Sequence, residues 1–134
     1  MTGGQTCALP ILNVCKHTIE QCFGYDVSDY PVPAGCEKIS NLDSFFDVIT
    51  FFDSLEHFED ISFVKNLQCN YICVSVPECH YFSDEWFKNW KHRRPDEHLW
   101  HFNQDSLNNF MQECGFKSIA TSNIEDIIRK NNEQ

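Results

Sequence analysis

Residues 46–57 read FDVITFFDSLEH, an apolar, strand-like run that turns at Asp53 into acid, hydroxyl and imidazole. An open parallel sheet makes such a change where its strands end at a ligand. Imidazole titrates near working pH, so His57, His80, His98 and His101 are the side chains able to take a proton from a hydroxyl acceptor. Cys79, His80, His92, His98 and His101 supply the thiolate and imidazole that zinc accepts, but their spacing follows no standard ligand pattern. No metal is expected. Plainer readings stand beside these. Asp53, Glu56 and His57 also suit a helix start, where acids offset the macrodipole. His98 and His101 also suit structural packing, and Trp86, Trp90 and Trp100 either wall an acceptor pocket or finish a core.

Placing those side chains requires strands and helices in alternation. Residues 22–30, CFGYDVSDY, read as a short strand ending at Asp26, then a loop. Residues 36–39 are a weaker strand after the turn-prone PVPAG. Residues 46–52 are the strongest, apolar enough for a sheet buried on both faces. In HFEDISFVKNL, Phe58, Ile61 and Val64 recur every third residue, close to helical spacing. Residues 71–77, YICVSVP, form another buried strand stopped by proline. Ser83 caps a short helix through Trp90, and Asn103 caps a cleaner one bearing Leu107, Phe110, Met111 and Cys114 on one face and Gly115 at its end. FKSIATSN and IEDIIRK read as two closing strands. This alternation predicts an α/β fold with a mainly parallel sheet.

Composition narrows the function. The chain has 134 residues, 42% hydrophobic and 14% aromatic, enough for one globular domain. A formal charge of −10 argues against a general grip on nucleic acid or anionic lipid. The one basic run, KNWKHRRP, is followed at once by Asp96 and Glu97 and reads as a solvated turn. No stretch approaches the ~20 apolar residues of a membrane span, and no signal peptide is evident. The eight cysteines include no CxxC pair and several lie in apolar runs, as reduced thiols of a cytoplasmic protein do.

Residues 1–11, MTGGQTCALPI, carry no charge and share nothing with the rest of the chain. They resemble the translation of a sequencing-library adapter; an epitope-tag remnant and a natural flexible N-terminus are the other origins. On the adapter reading these residues are a non-native leader, residues 12–134 are the domain, and the natural protein extends further upstream.

Four segments, in this order and spacing, carry a family resemblance: GYDVS, FDVITFFDSLEHFED, VSVPECH and EHLWHFNQDSLNNFMQECGF. From about Cys22 to Lys130 the chain resembles the C-terminal part of class I S-adenosylmethionine-dependent methyltransferases, in the small-domain group typified by ubiquinone-biosynthesis enzymes. The resemblance implies a Rossmann-like sheet with a reversed last strand, S-adenosyl-L-methionine as cofactor and a small-molecule methyl acceptor. It implies that Asp26 accepts the hydroxyls of the cofactor's ribose, as a carboxylate with two oxygens can. Leu42 and Asp43 then bracket the adenine. Phe52 and Asp53 lie beside the methionine part, and Glu56 and His57 match the family's Leu-Glu-His signature. His57 and His98 are the preferred catalytic bases.

One departure is large. The family's first strand and its Gly-x-Gly-x-Gly loop are lacking, since outside residues 1–11 only Gly24, Gly35 and Gly115 occur. That loop brings backbone close to the cofactor, where any Cβ would clash. Truncation upstream accounts for both absences and makes residues 12–21 the tail of the first helix. Asp26 and Asp53 would then end strands on either side of the missing one, and the chain by itself would fold poorly and be inactive. Two other functions fit less of the sequence. They are a nicotinamide- or nucleotide-sugar-dependent Rossmann oxidoreductase, and a non-enzymatic acidic α/β interaction module.

Overall fold

Four short runs rich in aromatic, β-branched and cysteine residues form the strands in a computed structural model, which describes residues 20–26, 31–123 and 127. They are β1 (Cys22–Tyr25), β2 (Cys36–Ile39), β3 (Phe45–Phe52) and β4 (Gln68–Ser75). β1 pairs with β2 in parallel, from Cys22 opposite Cys36 to Tyr25 opposite Ile39. β3 pairs with β4 in parallel, from Phe45 opposite Gln68 to Phe52 opposite Ser75. Parallel pairing is as expected, and so is the order of the four strands along the chain. Among the described residues the two pairs are separate two-stranded sheets, with no ladder between β1 and β3. Their side chains do meet, since the Phe23 and Phe46 rings pack edge to face at 5.8 Å.

The core belongs to the second pair. Ile49 and Phe51 of β3 are buried with Leu55, Ile61, Val64 and Phe102, and Phe58, Phe63, Leu107, Phe110 and Met111 pack around them. The other face of the pair is open, with Val48 53% and Tyr71 59% exposed. β3 is therefore not buried on both faces, because the turns and the helix that follow it pack on one side only.

Between β3 and β4 the structure corrects the expected helix. Two 3₁₀ turns stand there, Leu55–His57 and Ser62–Asn66. Phe58, Ile61 and Val64 repeat every three residues, and that is the 3₁₀ period rather than the α period of 3.6. The second turn opens with the Asp60 carboxylate accepting the Ser62 N–H at 2.8 Å.

Two helices follow, α1 (Asp84–Asn89) and α2 (Gln104–Glu113). The Ser83 hydroxyl accepts the Trp86 N–H at 3.1 Å, as a cap should. Asn103 and Ser106 exchange backbone and side-chain hydrogen bonds in a capping box. Gly115 closes α2 at φ +94, the left-handed conformation that glycine adopts without strain. The excursion carrying α1 has a closed neck: Glu78 bridges Phe102, and the Cys79 N–H donates to the Phe102 carbonyl at 2.7 Å. No described helix is long and apolar enough to cross a membrane.

The closing strands are a second correction. Residues 116–123 form no ladder, and Ile119 is 76% exposed. A strand there requires a sheet edge to join, and neither described pair takes it up. In IEDIIRK only Ile127 is described, and it is helical. The leader at 1–11, residues 12–19 of the supposed first helix and the loop at 27–30 lie outside the described residues.

A four-by-four strand pair is marginal unless it packs against a core. Amide exchange is thus expected to show β3 and β4 protected at least about tenfold more than β1 and β2. Equal protection across all four strands would contradict two sheets of unequal stability.

Candidate functional site

The site is built from the turn that ends β3. The Asp53 N–H donates to the Ser75 carbonyl at 2.9 Å, extending the ladder by one bond. Asp53 then adopts φ +50, a left-handed conformation rare outside glycine, though aspartate is among the residues that tolerate it. The chain is thereby turned out of the sheet and into the 3₁₀ turn, which the His57 N–H closes on the Ser54 carbonyl at 3.1 Å. Leu55, Glu56 and His57 all face inward. Glu56 is 1% exposed and His57 5%.

A second segment comes back to meet them. The basic run forms the expected turn, with Arg94 and Glu97 paired on its surface at 3.3 Å. The His98 N–H donates to the Arg94 carbonyl at 2.7 Å, which directs the His98 ring inward, where it is 8% exposed. Backbone bonds fix the meeting. The Glu56 carbonyl accepts Leu99 N–H at 2.8 Å and Trp100 N–H at 3.3 Å, and the Trp100 indole donates to the Phe58 carbonyl at 2.8 Å.

The His57 and His98 rings pack edge to face with centroids 4.8 Å apart. His57 Nε2 lies 3.5 Å from Glu56 Oε1. His98 Nδ1 contacts the His92 carbonyl at 2.6 Å. Both Glu56 carboxylate oxygens and His57 Nδ1 are buried without a hydrogen-bond partner. Burial pushes the Glu56 carboxyl up to about 7, against the pull of its own backbone N–H dipole and with the Asp53 charge adding to the rise. Burial, then the neighbouring His98, lowers the His57 pKa against the opposing pull of Glu97 and Asp53. At neutral pH the cluster therefore holds a carboxyl near its midpoint beside an imidazole that resists protonation.

Outside this cluster lies an aromatic layer. Trp86 and Trp90 stack at 5.5 Å, and His101 packs between Phe87 at 5.0 Å and Trp90 at 5.9 Å. A cleft of about 310 Å³ is lined by Tyr25, Asn41, Leu42, Asp43, Phe58 and Phe63 with Asn66 and Leu67. That volume lies at the lower end of the range for small-molecule sites.

A family model described as a methyltransferase domain matches residues 9–121. The chain belongs to that family. No curated protein and no solved structure matches the chain.

Within this methyltransferase domain the residues expected from sequence fall into two groups. Glu56, His57 and His98 come together, with Asp53 close enough to act on Glu56 and His57 electrostatically. Leu42 and Asp43 line the cleft together with Tyr25, the neighbour of Asp26. Asp26 follows β1 and Phe52 ends β3, both half-buried. The cysteine–histidine group does not assemble as a set: His80 is exposed and pairs with Glu78 at 3.3 Å, while His101 packs on aromatic rings. Two contributors named from the sequence play roles it did not signal. His92 acts through its carbonyl and Trp100 through its indole N–H, and neither role depends on a motif. The oxidoreductase and interaction-module readings are not favoured by the family match.

Proposed function

We propose that this domain transfers the methyl group of S-adenosylmethionine to a small-molecule acceptor. The reading is carried by the family match over residues 9–121 together with the cleft that gathers Tyr25, Leu42 and Asp43. The cleft suits an adenosine: Leu42 and Phe63 offer apolar walls for a ring, and Asp43 offers a carboxylate to an amino group. Asp26, next in the chain after Tyr25, is the residue proposed to accept the ribose hydroxyls. Phe52, Asp53 and Glu56 are proposed to border the methionine end.

When bound, the cofactor supplies a sulfonium methyl that an acceptor displaces in line. The chain's part is chiefly positioning, which supplies roughly 7–11 kcal/mol in well-oriented reactions. A hydroxyl acceptor must also lose a proton. His57 and His98 are proposed to serve that need, and their contact with each other and with buried Glu56 supports their acting as one unit rather than as two separate bases.

Calorimetric titration with S-adenosylmethionine tests the proposal. The expected result is one site per chain, with affinity falling about ten- to a hundredfold in Asp26→Ala, the loss of hydrogen bonds to a charged group. No binding, or binding indifferent to both Asp26→Ala and Asp43→Ala, overturns it.

A further inference from the structure

We infer that Glu56, His57 and His98 form a centre for a divalent transition-metal ion. Each offers one ligand atom, and the three atoms lie within 4.8 Å of one another. All three residues are buried, and backbone bonds from Leu99 and Trp100 to the Glu56 carbonyl hold the two segments together without help from the three ligand side chains.

The unpartnered atoms point the same way. Glu56 Oε1 and Oε2 and His57 Nδ1 are shielded from solvent and make no hydrogen bond. Leaving such groups unsatisfied is costly, and buried orphans in a native site call for a cause such as an ion. The Glu56–His57 contact at 3.5 Å does not remove the need, because neither carboxylate oxygen gains a hydrogen bond from it.

His98 supplies an independent sign. A carbonyl only accepts, so the contact with the His92 carbonyl at 2.6 Å fixes the proton on Nδ1. The neutral ring then carries its lone pair on Nε2. Metal-bound histidines are commonly oriented in this way, through an outer carbonyl on the other nitrogen.

Two imidazoles are borderline donors and the carboxylate is a hard one. They favour zinc, cobalt, iron or manganese over calcium and magnesium, which take oxygen-rich shells. Three protein ligands leave coordination positions open. The inference goes beyond the methyl-transfer reading and stands without it, since ion binding is measured with neither cofactor nor acceptor present. With the ion bound, the His57 and His98 lone pairs are engaged, so the ligand role replaces their role as bases.

The test is titration of the full chain with Co²⁺ after chelator treatment, followed by visible absorption and calorimetry. One equivalent is expected to bind with nitrogen–oxygen ligand bands, to raise the melting temperature, and to bind at least about tenfold more weakly in Glu56→Gln and in His98→Ala. Glu56→Gln keeps the side-chain shape and removes a buried charge, so it serves as the folded variant if His98→Ala fails to fold. His80→Ala should bind as the wild type does. No stoichiometric binding overturns the inference. So does binding unchanged in Glu56→Gln, or a near-ultraviolet thiolate–cobalt band that puts the ion on cysteines.

Discussion

Leu55→Ala is expected to lower the unfolding free energy by about 2–5 kcal/mol, the range for a fully buried leucine that leaves a cavity. Leu55 is 0% exposed and packs with Ile49, Phe51, Ile61, Val64 and Phe102. Few domains have more than about 5–15 kcal/mol to lose. The effect reaches the site as well, because Leu55 anchors the 3₁₀ turn from which Glu56 and His57 project. The denaturant midpoint is the measurement, with Ile119→Ala as its control. Ile119 is 76% exposed, and its truncation should change stability by no more than about 0.5 kcal/mol. A Leu55→Ala loss no larger than the control's would mean that the turn is not packed as described.

Glu56→Gln is expected to stabilise the chelator-treated protein at alkaline pH. The folded-state pKa of Glu56, about 7, lies above its ordinary 4.5, so the folded protein holds this proton more tightly than the unfolded chain. Stability falls as pH rises from about 4.5 through 7 and is constant beyond, by an amount on the order of 3 kcal/mol. Glutamine does not titrate. The variant should therefore exceed the wild type at pH 8 by up to that amount, and the difference should close as pH falls toward 4.5. His57 works in the opposite sense. Its depressed pKa gives stability above about pH 6.5 that is lost on acidification, and it is present in both proteins. Denaturant unfolding at a series of pH values reads the difference directly. A gap that does not vary with pH would show that Glu56 is not buried in the way described.

Much of this arrangement was legible in the residues. Phe46 to Phe52 announced a strand, Asn103 and Gly115 bounded a helix, and the polarity beginning at Asp53 marked the end of β3. These signals are local, carried by propensity, capping and the end of an apolar run. The 3₁₀ turns were misjudged as an α-helix because three apolar residues cannot separate a period of 3.0 from one of 3.6. FKSIATSN has strand-like residues, but a strand exists only with a partner, and that is a property of the whole fold. The site was half legible. Glu56 and His57 stood out as neighbours, whereas the union of His98 with Glu56 depends on backbone bonds across a long excursion. No spacing rule encodes such a meeting, and for that reason the grouping of Glu56, His57 and His98 could not be read from the sequence.

The closed neck at Glu78 and Phe102 has an evolutionary consequence. Residues 80–97 hang from a base that is tied by its own hydrogen bonds, with His98 held at the foot by the Arg94 and His92 carbonyls. Lengthening such a loop costs little, about 0.6 kcal/mol for each doubling. The stretch from His80 to Lys91, with its tryptophan pair, is thus an exchangeable cassette. Descendants of this fold can rewrite it while the buried carboxylate and imidazoles stay in place, because the bonds that hold them come from residues outside the stretch.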